Sequence, residues 1–234
     1  EILDRETITI DLRGIDLSNT NLFQANLSGL DLSTANLRGA NLSEANLSKT
    51  ELREVDLSNA HLYLDNLSDA HLFKANLQQA NLNFTNLDGA YLREANLNYA
   101  SFKETRLSQR TILEEKWRIV WEIINGHLID NQIDRLDLSK AYFVGIDFQE
   151  ANLKYANLRD ANLCAANLSK VQLEKADLQG AFYNLYTQFP VNFNPKKANA
   201  IERINEYLSD NTLLSVYQRD CGDASLTNVD NRDN

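Results

Sequence analysis

The chain has 234 residues, with 33 acidic against 23 basic side chains, a formal net charge of −10 and an isoelectric point near 4.8. That surplus argues against wholesale binding to nucleic acid or anionic membrane, since neither releases counterions to a negative partner. A hydrophobic content of 43% is too high for a disordered chain, and no apolar run approaches the roughly 18–20 residues of a membrane span.

Residues 1–9 form a short N-terminal extension. From 10 to 109 a Leu stands at every fifth position, at 12, 17, 22, 27 and onward to 97, and Phe102 and Leu107 continue the series. Two places before each stands a small or aliphatic residue, most often Ala, as at Ala25, Ala45 and Ala75. Immediately before it the usual residue is Asn or Asp, as at Asn26, Asp31 and Asn46.

A period of five fits neither regular element. On an α-helix five residues advance about 500°, so the Leu file would drift around the rod. On a flat strand side chains alternate, so every second Leu would face water. Both difficulties vanish if the chain turns a corner once per unit. Each Leu and the residue two before it then face a common axis, and four units close one square coil. Coils stack at about 4.8 Å, giving a solenoid in which each coil touches only its neighbours. Asn and Asp suit such corners, because their side chains bond nearby backbone and they tolerate unusual dihedrals.

These Ala-Asn/Asp-Leu-x-x units resemble the pentapeptide repeat family, over 10–109 and again over 134–183. The resemblance implies an all-β fold, a right-handed quadrilateral parallel β-helix, here with an inserted α-helix and a C-terminal helical cap. An open first coil calls for a cover. The two expected covers are a second copy, stacked end to end as a homodimer through the N-terminal coil, and a domain upstream.

After Leu107 the rhythm breaks, and residues 110–126 read as one amphipathic helix. Thr111 with Glu114 has the form of a capping box, and Gly126 is a stop signal. Leu113, Trp117, Val120, Trp121 and Ile124 lie at helical spacing and form its apolar face. The helix either covers the register change or docks a partner, and similar insertions occur in pentapeptide repeat proteins of photosynthetic bacteria.

The second run occupies 127–183, one residue out of phase, with central residues Leu138, Phe143, Phe148, Leu153 and onward to Tyr183. Leu128 and Ile133 are its candidate first central residues. Together the runs predict about eight coils, roughly 36–40 Å of solenoid. Asn194-Pro195 opens a predicted cap helix carrying Ala198, Ile201, Ile204 and Leu208 in 184–218, with a second short helix near Leu213 and Tyr217. Residues 219–234 are a polar tail expected to be disordered.

Few residues suggest chemistry. Neither a phosphate-cradling loop nor a nucleophile elbow is present, and cofactors and metals are expected to be none. His61 and His71 fall on different walls, and His127 lies between the two runs. Two cysteines, Cys164 and Cys221, are too few for a disulfide framework; with no visible leader, they point to the cytoplasm. Cys164 follows Leu163 and is expected to point outward. Asp65 takes an inward Ala place in the column Ala25, Ala45, Asp65, Thr85, Thr105, and Thr85 is its expected hydroxyl partner.

Sorting outward residues by wall puts Phe23, Tyr63, Leu64 and Phe84 on one wall and Phe73 and Tyr91 on the adjoining one. These six are the candidate partner-binding residues. The reading is a non-catalytic scaffold presenting flat walls to an unknown protein partner, and not an enzyme. The alternative, implied by the resemblance, is an acidic rod that mimics DNA and binds a topoisomerase such as DNA gyrase. Charge placement speaks against it: residues 10–109 hold twelve acidic and eight basic side chains, with Arg13, Arg53, Lys74 and Arg93 on one wall.

Overall fold

The computed structural model describes residues 11–126 and 135–203. It divides into two compact units, Glu1–Glu114 and Glu115–Asn234.

The first unit is a four-sided parallel β-helix. Parallel bridges join residues 20 apart along four files: Asp31–Glu51–His71–Tyr91, Asp16–Asn36–Asp56–Asn76–Asn96, Asn41–His61–Asn81–Ser101 and Asn26–Asn46–Asn66–Asn86–Arg106. The hydrogen bonds alternate along the chain. Leu37 N–H donates to Asp56 C=O of the next coil at 2.7 Å, and Asp56 N–H donates back to Ala35 C=O at 3.0 Å. From Leu32 to Leu97 the central leucines are 0–1% exposed, and the preceding Ala file, including Ala40, Ala60 and Ala75, is buried with them. A large and a small inward residue per unit fill the narrow tube.

Each corner is a four-residue turn. Ala45 N–H donates to Leu42 C=O at 2.8 Å, and the third residue, Glu44, has φ 62°, the mark of a type II turn. The left-handed residue is thus the second after each Leu, held by Lys49, Leu64, Phe84 and their equivalents. The Asn or Asp immediately before each Leu does not supply the unusual dihedral expected of it, although Asn19, Asn59 and Asp69 do so at the second place after a Leu. The side chains before the Leu instead accept the N–H two residues on, as Asp56 does from Ser58 at 2.9 Å. Asn amides also donate along the file, as Asn76 does to Asp56 at 3.0 Å.

The break after Leu107 is one added residue in a turn. Ile112 bridges to Tyr91, so the first β-helix continues past 109. Thr111 is no helix cap. Its hydroxyl accepts Ser108 N–H at 3.1 Å and donates to Leu87 C=O at 2.8 Å, while the Glu114 carboxylate accepts Glu94 N–H. An inward Thr meets a carbonyl of the coil beneath, and that bond outcompetes capping.

The helix α1 spans Glu115–Ile124, shorter than the predicted 110–126, and buries Trp117, Val120 and Ile123. Trp121 and Ile124, expected on that face, are only partly buried, because the buried face turns toward Val120 and Ile123. Within the second unit Lys116 ties the helix to the coils, donating to Ser139 Oγ at 2.9 Å, with Asp137 at 3.3 Å. Gly126, at φ 68°, ends it as a left-handed stop.

In the second unit bridges join Asp137–Asn157–Asp177, Tyr142–Asn162–Phe182 and Asp147–Asn167. Phe143 and Phe148 meet edge to face in its core at 4.9 Å. The six-residue corner recurs here: Thr187 accepts Asn184 N–H and donates to Leu163 C=O, both at 3.0 Å, and Gln188 pairs with Asn167. This run therefore extends past 183. Strand β1, Phe182–Tyr183, pairs in parallel with β2, Ile201–Glu202. The helix expected after Asn194-Pro195 is instead a set of turns leading into β2, because the open edge of β1 recruits Ile201 and Glu202 as ladder partners. The N-terminal extension, Leu128, Ile133, His127, the second cap helix, Cys221 and the polar tail lie outside the described residues.

Candidate partner surface

Two aromatic groups stand on the first unit. Tyr63 and Phe84 meet edge to face with ring centroids 5.4 Å apart. Leu64 lies one coil before Phe84 in the same file, and both are nearly half exposed, at 47% and 43%. Their backbones are fixed by the ladder: Leu64 N–H donates to Asn83 C=O, and Phe84 N–H to Lys103 C=O. Phe23, 46% exposed, shares the Tyr63 file but stands two coils away, beyond Ser43, so it does not join this corner.

Phe73 and Tyr91 form the second group, with centroids 6.2 Å apart, and His71 packs on Tyr91 at 4.8 Å. Lys74 Nζ lies 5.2 Å over the Phe73 ring, a cation–π distance. Arg53 Nε lies 3.0 Å from Glu51 Oε2 and 2.8 Å from His71 Nδ1. This group is not on the adjoining wall. Its file is two units from that of Tyr63, and with four units per coil the two groups occupy opposite faces.

Asp65 lies directly behind the first corner and is 1% exposed. Its Oδ1 accepts Ala45 N–H at 2.9 Å, and Oδ2 has no partner among the described residues. Thr85 does not serve it, since its hydroxyl donates to Leu62 C=O at 2.6 Å. Burial pushes the carboxyl up to about 8, partly opposed by the Ala45 hydrogen bond.

Cys164, expected to point outward, is nonetheless buried. It packs with Val144 under Tyr142 and Phe182; large side chains on the neighbouring file close over a position that a bare corner would leave open. Sequence reading also missed Tyr155, 43% exposed, with Arg135 and Lys175 at 5.6 and 5.1 Å from its ring. The 20-residue spacing of those three was the available signal. Among the described residues no group of His, Cys, Asp and Glu could hold a metal, and no helix is long and apolar enough to cross a membrane.

Each unit is built of parallel β-helical coils around an axis filled by its inward side chains. The chain belongs to the pentapeptide repeat family: the model for pentapeptide repeats matches eight copies, over residues 10–39, 35–72, 70–109 and 135–181. Family members form right-handed β-helices. No curated protein matches the sequence.

Among solved structures, HetL is a pentapeptide repeat protein involved in heterocyst differentiation regulation from the cyanobacterium Nostoc sp. strain PCC 7120. It is 28% identical, over 81% of this chain and 85% of its own, with a TM-score of 0.42. A pentapeptide repeat protein of the Arabidopsis thaliana thylakoid lumen is 29% identical over 47% of this chain and 72% of its own, with a TM-score of 0.41. QnrB1, a plasmid-mediated fluoroquinolone resistance protein, is 14% identical over 87% and 95%, with a TM-score of 0.41.

Proposed function

We propose that the chain is a non-catalytic scaffold that engages a protein partner through the corner formed by Tyr63, Leu64 and Phe84. The observation that carries this reading is the pair of nearly half-exposed apolar side chains, Leu64 and Phe84, braced by the Tyr63–Phe84 ring contact. Burying such side chains on association is worth roughly 25 cal/mol per Å² of apolar surface before association costs. Supporting it, the inward positions are filled by Leu and Ala, so recognition falls to the outer walls. Phe73 and Tyr91, on the opposite face, are proposed as a separate and secondary contact, and Phe23 as an outlying one.

The test is affinity capture from the native host with three baits: the parent, Leu64→Ser/Phe84→Ser, and Phe73→Ser/Tyr91→Ser. A partner retained by the parent and the third bait but lost by the second is the expected result. Equal recovery on all three removes this corner from consideration.

A further inference from the structure

We propose that the protonation state of Asp65 regulates this same corner: the neutral acid keeps Tyr63 and Leu64 seated, and ionisation releases them. The functional meaning rests on the docking reading above; the physical switch does not.

Thr85 and Thr105 each donate a hydroxyl hydrogen to the central carbonyl one coil beneath, Leu62 and Leu82, both at 2.6 Å. Thr50 does the same to Leu27 at 3.0 Å. Each of these bonds spans 23 residues, and the carbonyl so placed relative to Asp65 is that of Leu42. A protonated carboxyl carries an O–H and suits a position that elsewhere in the fold is occupied by a donor. A carboxylate carries acceptors alone. Only the Ala45 N–H reaches it, and Oδ2 is left with nothing. A buried anion with one unserved oxygen is costly unless water or a cation reaches it.

Among the described residues no cation pairs with it. In the stack Asp65 lies between Ala45 and Thr85, neither titratable. On the coil beneath, Glu44 is exposed and accepts a hydrogen bond from Gln24 at 2.8 Å. On its own coil the titratable groups nearest in sequence are His61, Tyr63 and Asp69, the last paired with Arg110 at 3.0 Å, and on the coil above Asn83 and Phe84 contribute none. Lys103 and Glu104 follow one coil further on, both exposed. The inward neighbours Leu62 and Leu67 are apolar and 0% exposed. The upward displacement of the Asp65 carboxyl by burial agrees with this geometry.

The inexpensive relief is local. The turn is closed by Asp65 N–H to Leu62 C=O and Leu64 N–H to Asn83 C=O, each a long 3.2 Å. Leu64 sits at φ 62°, a strained region for a branched side chain that opening would relax. Swinging the turn outward hydrates the carboxylate and displaces Leu64 and Tyr63 from Phe84.

Hydrogen–deuterium exchange on the full chain tests this, read on peptides covering 58–68 at about pH 6 and about pH 9.5 and corrected for the intrinsic rate. The parent is expected to lose protection there by about tenfold or more at the higher pH. Asp65→Asn and Asp65→Thr, the latter matching what the column already accommodates, should stay protected at both. Selective 13C labelling of the Asp65 carboxyl gives an independent titration. Flat exchange in the parent, equal loss in the Asp65→Thr chain, or a carboxyl that titrates in the ordinary acidic range overturns the switch. Opening in the parent alone, with no partner dependent on Leu64 and Phe84, removes the docking reading and leaves the switch standing.

Discussion

The Thr85 hydroxyl donates to the Leu62 carbonyl at 2.6 Å, a bond that crosses from one coil to the next inside the core. Leu62 C=O also accepts Asp65 N–H, so losing the hydroxyl does not strand it. Thr85→Val keeps the shape and removes only the donor. The expected loss is about 1 kcal/mol, read as a lower urea midpoint with an unchanged m-value.

Asp65 makes stability depend on pH with an unusual sign. Its folded carboxyl is raised to about 8 from the ordinary 3.8. Between those values the native chain keeps a proton that the unfolded chain has released. The Asp65 contribution to stability is therefore greatest below about pH 4, falls from there to about pH 8, and levels off above. The slope within that window is at most about 1.4 kcal/mol per pH unit. Urea melts across the range should show it in the parent, and Asp65→Asn should remove this component.

Ala75 is 0% exposed between two coils, and its neighbours in the stack lie about 4.8 Å away. Ala75→Leu is expected to lower stability by about 1–3 kcal/mol through overpacking. A thermal melt matching the parent would count against the inward placement of this file.

Lys49 is exposed and holds φ 58°. A left-handed non-glycine residue costs roughly 1–2 kcal/mol, whereas glycine loosens the unfolded chain by about 0.4–1 kcal/mol. Lys49→Gly should therefore stabilise by about 0.5–1 kcal/mol, measured by equilibrium unfolding. Destabilisation would show that the corner relieves the strain in another way.

A gyrase supercoiling assay separates the scaffold reading from DNA mimicry. One face of the first unit groups Arg53, Lys74 and Arg93 around Phe73 and Tyr91, a poor imitation of a phosphate backbone. No inhibition at micromolar protein is expected, and clear inhibition would reverse the ranking.

The sequence alone determined the coil. A five-residue period with one large and one small inward residue admits a single arrangement that buries both files, so the Leu and Ala columns and the four-sided register were legible without coordinates. The six candidate aromatic and aliphatic residues were identifiable as outward. Their grouping was not, because Phe73 and Tyr91 lie two units from the Tyr63 file and so face the opposite way. Only the tertiary structure decided what each inward polar atom meets. Thr111 bonds Leu87 across a six-residue corner instead of capping α1, Thr85 chooses Leu62 over Asp65, and Cys164 disappears beneath Tyr142 and Phe182. Local pattern sets which side of the wall a residue faces. The nearest atom one coil away depends on the register between distant segments, and a single inserted residue resets it.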